Sequence, residues 1–221
     1  MLLYKFKSAQ DAVYALDIAM HERLFCADYA ALNDPFEGQF RTATGGTNLG
    51  FTPLTKEGLP RASKIIFSNL ASLPSSGPTR VCSLSDRWHD VRMWALYADS
   101  FRGMAFEFEI DPNHPQVHQV VYSRELPKIP TGLLSSPATV DALTCKTRHW
   151  KYESEWRFIS TETYISLPGR LTRILLGSRI SPTVKDALLK VACDHTRIFM
   201  VGLDPAGVRM TLEEELLRAP R

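Results

Sequence analysis

The alternation of hydrophobic and polar positions predicts a chain of short strands mixed with a few helices. Residues 2–6 alternate weakly and predict a strand, and residues 8–11 supply a capping signal for the helix that follows. Residues 104–110 alternate apolar and acidic side chains, which predicts a half-buried strand more clearly than any other segment. Pro182, at a first-turn position, predicts a helix that runs to about Cys193.

The middle of the chain has weaker patterns. Residues 41–60 are rich in Gly, Thr and Pro, and we expect a mobile loop there that could cover a cleft. A short helical pattern with Ile65, Ile66 and Leu70 follows this loop. The second half of residues 146–159 predicts a further strand with polar and aromatic side chains on opposite faces.

The order of these elements indicates the fold class. We count about eight short strands and four or five helices, and they do not alternate strictly along the chain. This order predicts an α+β fold with a mixed, mostly antiparallel sheet and flanking helices. The 221 residues suit a single domain over residues 1–221, and 44% hydrophobic residues exclude intrinsic disorder.

Composition restricts the compartment and the partners. The 26 Lys and Arg against 24 Asp and Glu leave a net charge of +2, which argues against wrapping duplex nucleic acid but permits a local basic patch. No apolar run approaches the ~20 residues that span a bilayer, so we expect a soluble cytoplasmic protein without a membrane partner. The four cysteines form no C-x-x-C pair, so no metal is expected. The oligomeric state stays open.

One segment concentrates charges among aromatic residues. Residues 152–157 hold two acids and an arginine together with two aromatics, and buried charges are costly unless they are paired or used. A structural interpretation is an ion pair, either of Glu155 with Arg173 or of Arg157 with Glu153. In a functional interpretation, Glu155 acts on a sugar hydroxyl or a developing cation, and Arg157 and Lys151 are available to phosphate oxygens.

Two further segments have both a structural and a functional interpretation. Asn33, Asp34 and Glu37 surround a proline, which predicts a simple turn or a cleft mouth where carboxylates hold a ribose or a base edge. Met93, Leu96 and Tyr97, in the segment that also holds Trp94, have the spacing of a helix core face. The ring of Tyr97 also offers a flat face for stacking on a heterocycle.

Five short blocks, in this order, resemble the bacterial family called domain of unknown function 2971. The blocks are residues 4–8, 32–37, 82–85, 93–98 with Gly103, and 150–157. The layout of that family is similar to the ADP-ribosyltransferase fold. In that fold an early strand carries His or Arg, a middle segment carries Ser and Tyr, and a late strand carries a catalytic Glu.

The resemblance implies an ADP-ribosyltransferase or NAD glycohydrolase that cleaves the nicotinamide–ribose bond of NAD, as a toxin or phage-defence effector. It implies Glu155, Tyr97 and Lys5 as catalytic residues, with Lys5 where many relatives have His. Glu153 is the alternative to Glu155, since we expect both on one face of one strand. The residues implied for NAD binding are Tyr4, Asn33, Asp34, Ser83, Ser85, Trp94 and Arg157.

The alternative is a binding module without catalysis. Lysine cannot both donate and accept as imidazole does, so Lys5 favours a relative that binds a nucleotide without cleaving it. Lys146, Arg148 and Lys151 interleave with aromatic residues, a pattern typical of nucleic-acid strand binding. The acceptor of a transferred group, protein or nucleic acid, stays open.

Overall fold

The computed structural model describes residues 1–34, 36–44, 64–69, 79–129, 136–166, 169–204, 206 and 210–216. The helices are α1 (Ala12–His21), α2 (Val91–Tyr97), α3 (Ser136–Leu143) and α4 (Pro182–Val191), with 3₁₀ helices at Ala9–Asp11, Tyr29–Ala31 and Arg148–Glu153. The strands are β1 (Leu2–Lys7), β2 (Arg23–Phe25), β3 (Ala27–Asp28), β4 (Gln39–Thr44), β5 (Lys64–Asn69), β6 (Arg80–Ser85), β7 (Met104–Ile110), β8 (Val117–Gln119), β9 (Val121–Ser123), β10 (Cys145–Thr147), β11 (Glu155–Ser160), β12 (Tyr164–Ser166), β13 (Gly169–Leu176), β14 (Arg197–Leu203) and β15 (Met210–Glu215).

Nine of the described strands form one sheet. Their order is β15-β14-β13-β7-β1-β6-β11-β8, and β3 also pairs with β6. Neighbours are antiparallel except β13 and β14, which run parallel because α4 connects them as a crossover. This arrangement confirms the predicted single α+β domain with a mixed, mostly antiparallel sheet.

The two faces of the sheet carry separate hydrophobic cores. On one face, α1 and α4 contribute Ile18 and Leu188 to a core that includes Leu3 of β1. On the other face, α2 contributes Trp94 to a core that includes Tyr4, the next residue of β1. Each large side chain buried in this way contributes about 1.5–3 kcal/mol to stability.

The helices are short, and local signals define their ends. Ser181 accepts a hydrogen bond from the backbone of Val184 at 3.3 Å and caps α4, with Pro182 as its first residue, as the sequence predicts. α1 ends where Glu22 adopts a left-handed backbone with φ 49°. Within the described ranges no helix is long and apolar enough to cross a membrane.

Strand β7 differs from its prediction because it lies in the middle of the sheet. The strand is paired with β1 and β13, and only Glu109 along its length is exposed. Glu107 is 2% exposed, and its carboxylate accepts hydrogen bonds from Tyr4 at 2.8 Å and from Arg173 Nε at 2.7 Å. The predicted half-buried strand is therefore buried on both faces, and ion pairing makes the inner glutamate tolerable.

Part of the predicted mobile loop is a strand. Residues 41–44 belong to β4, which pairs with β5 over residues 64–69. Ile65 and Ile66 therefore lie in a strand, and the helical prediction for them is wrong. A few apolar residues do not distinguish a short helix from a strand by spacing alone. The rest of the predicted loop, residues 45–60, lies outside the described residues, as does Leu70.

The sheet divides between β1 and β6. β1 pairs with β7 along all of its residues, whereas its register with β6 is the single pair of Tyr4 and Ser85. Beyond that pair, Lys5 Nζ donates to the backbone oxygen of Ser83 at 2.9 Å, across the gap between the strands. We call this opening between β1 and β6 the fork.

Candidate active site

The fork opens into a cleft of about 290 Å³, which we call the fork cleft. This volume is at the lower end of the range for small-molecule sites. Lys5 and Lys7 line one wall, Ser83 lines the other, and Tyr97 and Asn33 lie near the ends of α2 and of the 3₁₀ helix at Tyr29–Ala31. The cleft therefore brings together side chains that are far apart in the sequence.

A cluster of buried charges forms the floor of this cleft. Its five members, which we call the floor cluster, are each at most 8% exposed. They are Glu37, Lys146, Glu153, Glu155 and Arg157. With three carboxylates and two cations, the cluster carries a net charge of −1 when all five are ionised. Charges buried this deeply require partners, and the cluster supplies them.

Arg157 binds two carboxylates at once. Nε donates to Glu155 Oε1 at 2.8 Å, and Nη2 donates to Glu155 Oε2 at 3.1 Å and to Glu37 Oε2 at 2.9 Å. Nη1 donates to Glu37 Oε1 and to the backbone oxygen of Leu143. All five guanidinium N–H groups are thereby used. The predicted contact of Arg157 with phosphate oxygens is therefore wrong, as is its predicted ion pair with Glu153.

Lys146 joins the two remaining carboxylates. Its ammonium lies 2.6 Å from Glu153 Oε2 and 2.9 Å from Glu155 Oε2, and the Tyr97 hydroxyl donates to Glu153 Oε1. A continuous chain of contacts therefore runs from the cleft wall at Tyr97 to Arg157. Lys146 is 8% exposed, so the prediction that it contacts a nucleic-acid backbone is wrong.

The two neighbouring glutamates have opposite pKa shifts. Burial raises the pKa of Glu153 above its usual range, and the charge of Lys146 offsets only part of this. Burial also raises the pKa of Glu155, but Arg157 and Lys146 outweigh it and hold that pKa at about 2. Carboxyl groups whose environments separate their pKa values in this way are typical of acid–base sites.

Tyr97 connects this cluster to the cleft. Burial and its hydrogen bond to Glu153 raise the pKa of Tyr97 well above the usual range, so its hydroxyl stays protonated and donates. Its half-buried ring lines the cleft, where a planar group can stack on it.

The two glutamates do not lie on one strand. Glu153 ends the 3₁₀ helix, and β11 begins at Glu155, with Ser154 between them in a left-handed conformation at φ 45°. The prediction that both share one strand face is therefore wrong. The predicted ion pair of Glu155 with Arg173 is also wrong, because Arg173 binds Glu107 across β13 and β7.

Three predicted site residues form a row across neighbouring strands. Tyr4 on β1 is in register with Ser85 on β6, which is in register with Glu155 on β11. The Tyr4 hydroxyl donates to Glu107, and Ser85 Oγ donates to the backbone oxygen of Glu153 at 2.6 Å. Tyr4 and Ser85 therefore support the cleft with their hydroxyl groups already engaged.

Lys5 and Ser83 face each other across the fork. Lys5 alternates with Tyr4 along β1 and starts from the opposite face of the sheet. Its ammonium reaches the Ser83 backbone, and the Ser83 hydroxyl helps to lower the pKa of Glu155. Burial and the charge of Lys5 lower the pKa of Lys7 beside it. Two lysines therefore stand on one wall of the cleft, opposite the floor cluster.

Two predicted NAD contacts lie elsewhere. Trp94 is fully buried, and its indole N–H donates to the Trp88 backbone at 2.6 Å in the core under α2. Asp34 is 4% exposed, and its Oδ1 accepts from the backbone of Phe36 at 2.9 Å to close a turn. The structural interpretation holds for both, whereas Asn33, next to Asp34, lines the cleft at an exposed position.

Sequence reasoning missed two parts of the site. Glu37 was expected at a cleft mouth but is 7% exposed and holds Arg157 from below. Lys146 was expected to face a ligand and instead contacts two buried carboxylates. Glu37 and Arg157 lie 120 residues apart, so no local pattern could pair them.

The geometry of the site is the basis for any inference about its function. Within the described ranges, no group of three or more His, Cys, Asp or Glu side chains is arranged to hold a metal ion. No family model matches the chain, and no curated protein and no solved structure matches it.

Proposed function

We propose that the fork cleft binds NAD and that the protein cleaves the nicotinamide–ribose bond, as an ADP-ribosyltransferase or an NAD glycohydrolase. The observation that carries this proposal is the order of three adjacent strands. β1 carries Lys5, β6 carries Ser83 and β11 carries Glu155. This basic, serine, glutamate order across a divided sheet agrees with the resemblance to domain of unknown function 2971 and to the ADP-ribosyltransferase layout.

The charges around the cleft suit this substrate. Cleavage of a glycosidic bond passes through an oxocarbenium-like state, and fixed negative charge in a water-poor site stabilises it. The floor cluster has one carboxylate more than it has cations. On the opposite wall, Lys5 and Lys7 are available to the pyrophosphate, since an ammonium has three donors and Lys5 gives one to Ser83.

Glu153 and Tyr97 take the direct role in this proposal. Glu155 is held by two cations, Arg157 and Lys146, so we assign it as a positioning residue that fixes Lys146. Glu153 contacts one cation, Lys146, and the neutral hydroxyl of Tyr97. Glu153 reaches the cleft wall through the Tyr97 hydroxyl.

The step balances as a substitution at ribose C1′. The bond to the nicotinamide nitrogen breaks, and its electron pair leaves with neutral nicotinamide. Water, or an acceptor hydroxyl, forms the new C1′–O bond and releases a proton. Glu153 accepts this proton, because its raised pKa makes it the stronger base of the two glutamates. Depletion of NAD in this way would suit a toxin or a phage-defence effector.

Release of nicotinamide from NAD tests the proposal. We expect the wild-type protein to release nicotinamide, and Glu153→Gln and Glu155→Gln each to slow release by at least about 100-fold. The matched control is Glu162→Gln, at an exposed turn position after β11. Release that survives both floor-cluster substitutions would contradict the proposed site, and a wild-type protein that releases nothing would contradict the proposed reaction.

A further inference from the structure

A second hollow, of about 430 Å³, lies beside the 3₁₀ helix Arg148–Glu153. We call it the basic hollow. Its lining includes five basic residues from three parts of the chain, which are Arg87, Arg92, Arg148, His149 and Lys151. Tyr122 and Tyr152 add aromatic surface. With a net charge of only +2 for the whole chain, this is a local concentration of positive charge.

Two of these basic residues have acidic partners of their own. Arg92 Nη2 lies 2.6 Å from Asp90 Oδ2, and Arg87 Nε lies 3.7 Å from Asp86 Oδ1. Both pairs are on the surface, where water screens them, so each arginine keeps some attraction for an anion. These two arginines therefore attract an anion less strongly than an unpaired cation would.

Arg148 and Lys151 are the stronger anion ligands. Both are exposed, and the described residues include no ion pair for either of them. They are three positions apart in a 3₁₀ helix, where side chains at i and i+3 lie one above the other. Two like charges held in line repel, and an anion between them removes that repulsion.

Acidic charge in the hollow is already balanced. Glu155 is the one acidic residue among the described lining residues. Its carboxylate is 4% exposed and bound to Arg157 and Lys146 on the fork side of β11. It therefore offers little repulsion to a phosphate in the basic hollow.

Aromatic faces accompany the cations. The Arg92 guanidinium lies 4.5 Å from the centre of the Tyr152 ring, and the Trp150 and Tyr152 rings are 6.2 Å apart. Basic side chains that follow a backbone, with aromatic rings for stacking bases, are the features of single-strand binding sites. A single nucleotide would need neither the two aligned cations Arg148 and Lys151 nor several aromatic rings. These features therefore favour a longer strand.

We propose that the basic hollow binds single-stranded nucleic acid, with phosphates on Arg148 and Lys151 and a base against Tyr152. The hollow is separate from the fork cleft, so this proposal does not rest on NAD cleavage. Both sites share the segment that ends at Glu155. A strand bound here would therefore lie next to the floor cluster.

The test is fluorescence anisotropy with labelled 12-nucleotide oligo(U) and oligo(dT), without NAD. We expect Arg148→Ala/Lys151→Ala to weaken binding at least tenfold at low salt and to reduce the salt slope by about 1.4, or about 0.7 for each lost phosphate contact. The matched control is Arg170→Ala/Arg179→Ala, which removes the same charge from exposed positions outside the hollow. Its affinity should stay within twofold of the wild type.

Competitors separate the possible sources of phosphate. Unlabelled oligo(U) should displace the probe at far lower concentration than AMP or inorganic phosphate. Equal losses in the two double variants would overturn the proposal, because binding would then follow net charge alone. Displacement by AMP as effective as by oligo(U), or no binding by the wild type, would also overturn it.

Discussion

At the scale of single residues, Arg157 is the residue on which most of the site depends. It is 1% exposed and holds Glu37 and Glu155 together from strands and loops that are distant in sequence. Removing one partner of a buried ion pair leaves an uncompensated charge, which costs far more than a surface pair contributes.

We expect Arg157→Met to lower the free energy of unfolding by about 3–5 kcal/mol at pH 7, measured by urea denaturation. Arg157→Lys should recover little, because an ammonium cannot replace the two-pronged contacts of the guanidinium. As the pH falls towards 4, the difference from wild type should shrink, since protonation discharges the carboxylates left behind by the substitution.

A surface pair provides the control for Arg157. Arg197 binds Glu215 in the same two-pronged geometry, at 2.7 and 2.6 Å, but on the exposed edge of the sheet. Arg197→Met should cost much less than Arg157→Met, because water screens both partners. Equal losses from the two substitutions would contradict the account of the floor cluster.

The sequence predicts part of this arrangement at the residue scale. Alternation along β11 places Glu155 and Arg157 on one face, as the structure has them. Their other partners could not be predicted, because Glu37 and Lys146 reach them only through the tertiary fold. Asp34 and Trp94 illustrate the same limit. From the sequence alone, a carboxylate that closes a turn and an indole buried in the core cannot be distinguished from ligand-binding side chains.

At the scale of elements, close backbone contact keeps β1 in place beside the fork. A Cβ atom at Gly103 would lie 2.1 Å from the Lys7 backbone oxygen, at the end of β1. Gly103 comes just before β7, after three consecutive residues with positive φ that follow α2. The lysine wall of the cleft therefore depends on a glycine next to it.

We expect Gly103→Ala to destabilise the protein by about 1–3 kcal/mol, because backbone must move to relieve the overlap. Thermal unfolding measures this loss. Gly202→Ala is the matched control: the atoms it would meet belong to the flexible Glu213 side chain, which can move away. A larger loss from Gly202→Ala than from Gly103→Ala would contradict this account.

Sequence patterns identify elements better than their positions in the sheet. The pattern of residues 104–110 predicts strand β7 but not its burial on both faces. Burial there depends on β1 and β13 as neighbours, and no local pattern encodes that order. Local patterns do not predict the fork for the same reason, since the fork results from backbone pairs that β1 and β6 do not make.

At the scale of the whole molecule, an almost neutral chain separates its charges into two places. The floor cluster holds acidic excess beneath the fork cleft, and the basic hollow gathers cations around the 3₁₀ helix Arg148–Glu153. A net charge of +2 gives no sign of either. Composition excludes disorder, and the order of the elements predicts the fold class, but neither can predict where charges meet.

Calorimetric titration with NAD tests the central claim, that the fork cleft is a nucleotide site, independently of cleavage. Ser83 lines the cleft, so Ser83→Trp should fill it, whereas Ser166→Trp places the same bulk on an exposed position of β12. We predict that the wild type and Ser166→Trp bind one NAD per chain and that Ser83→Trp binds none while remaining folded by circular dichroism. NAD binding of equal affinity to both variants, or none by the wild type, would contradict the account.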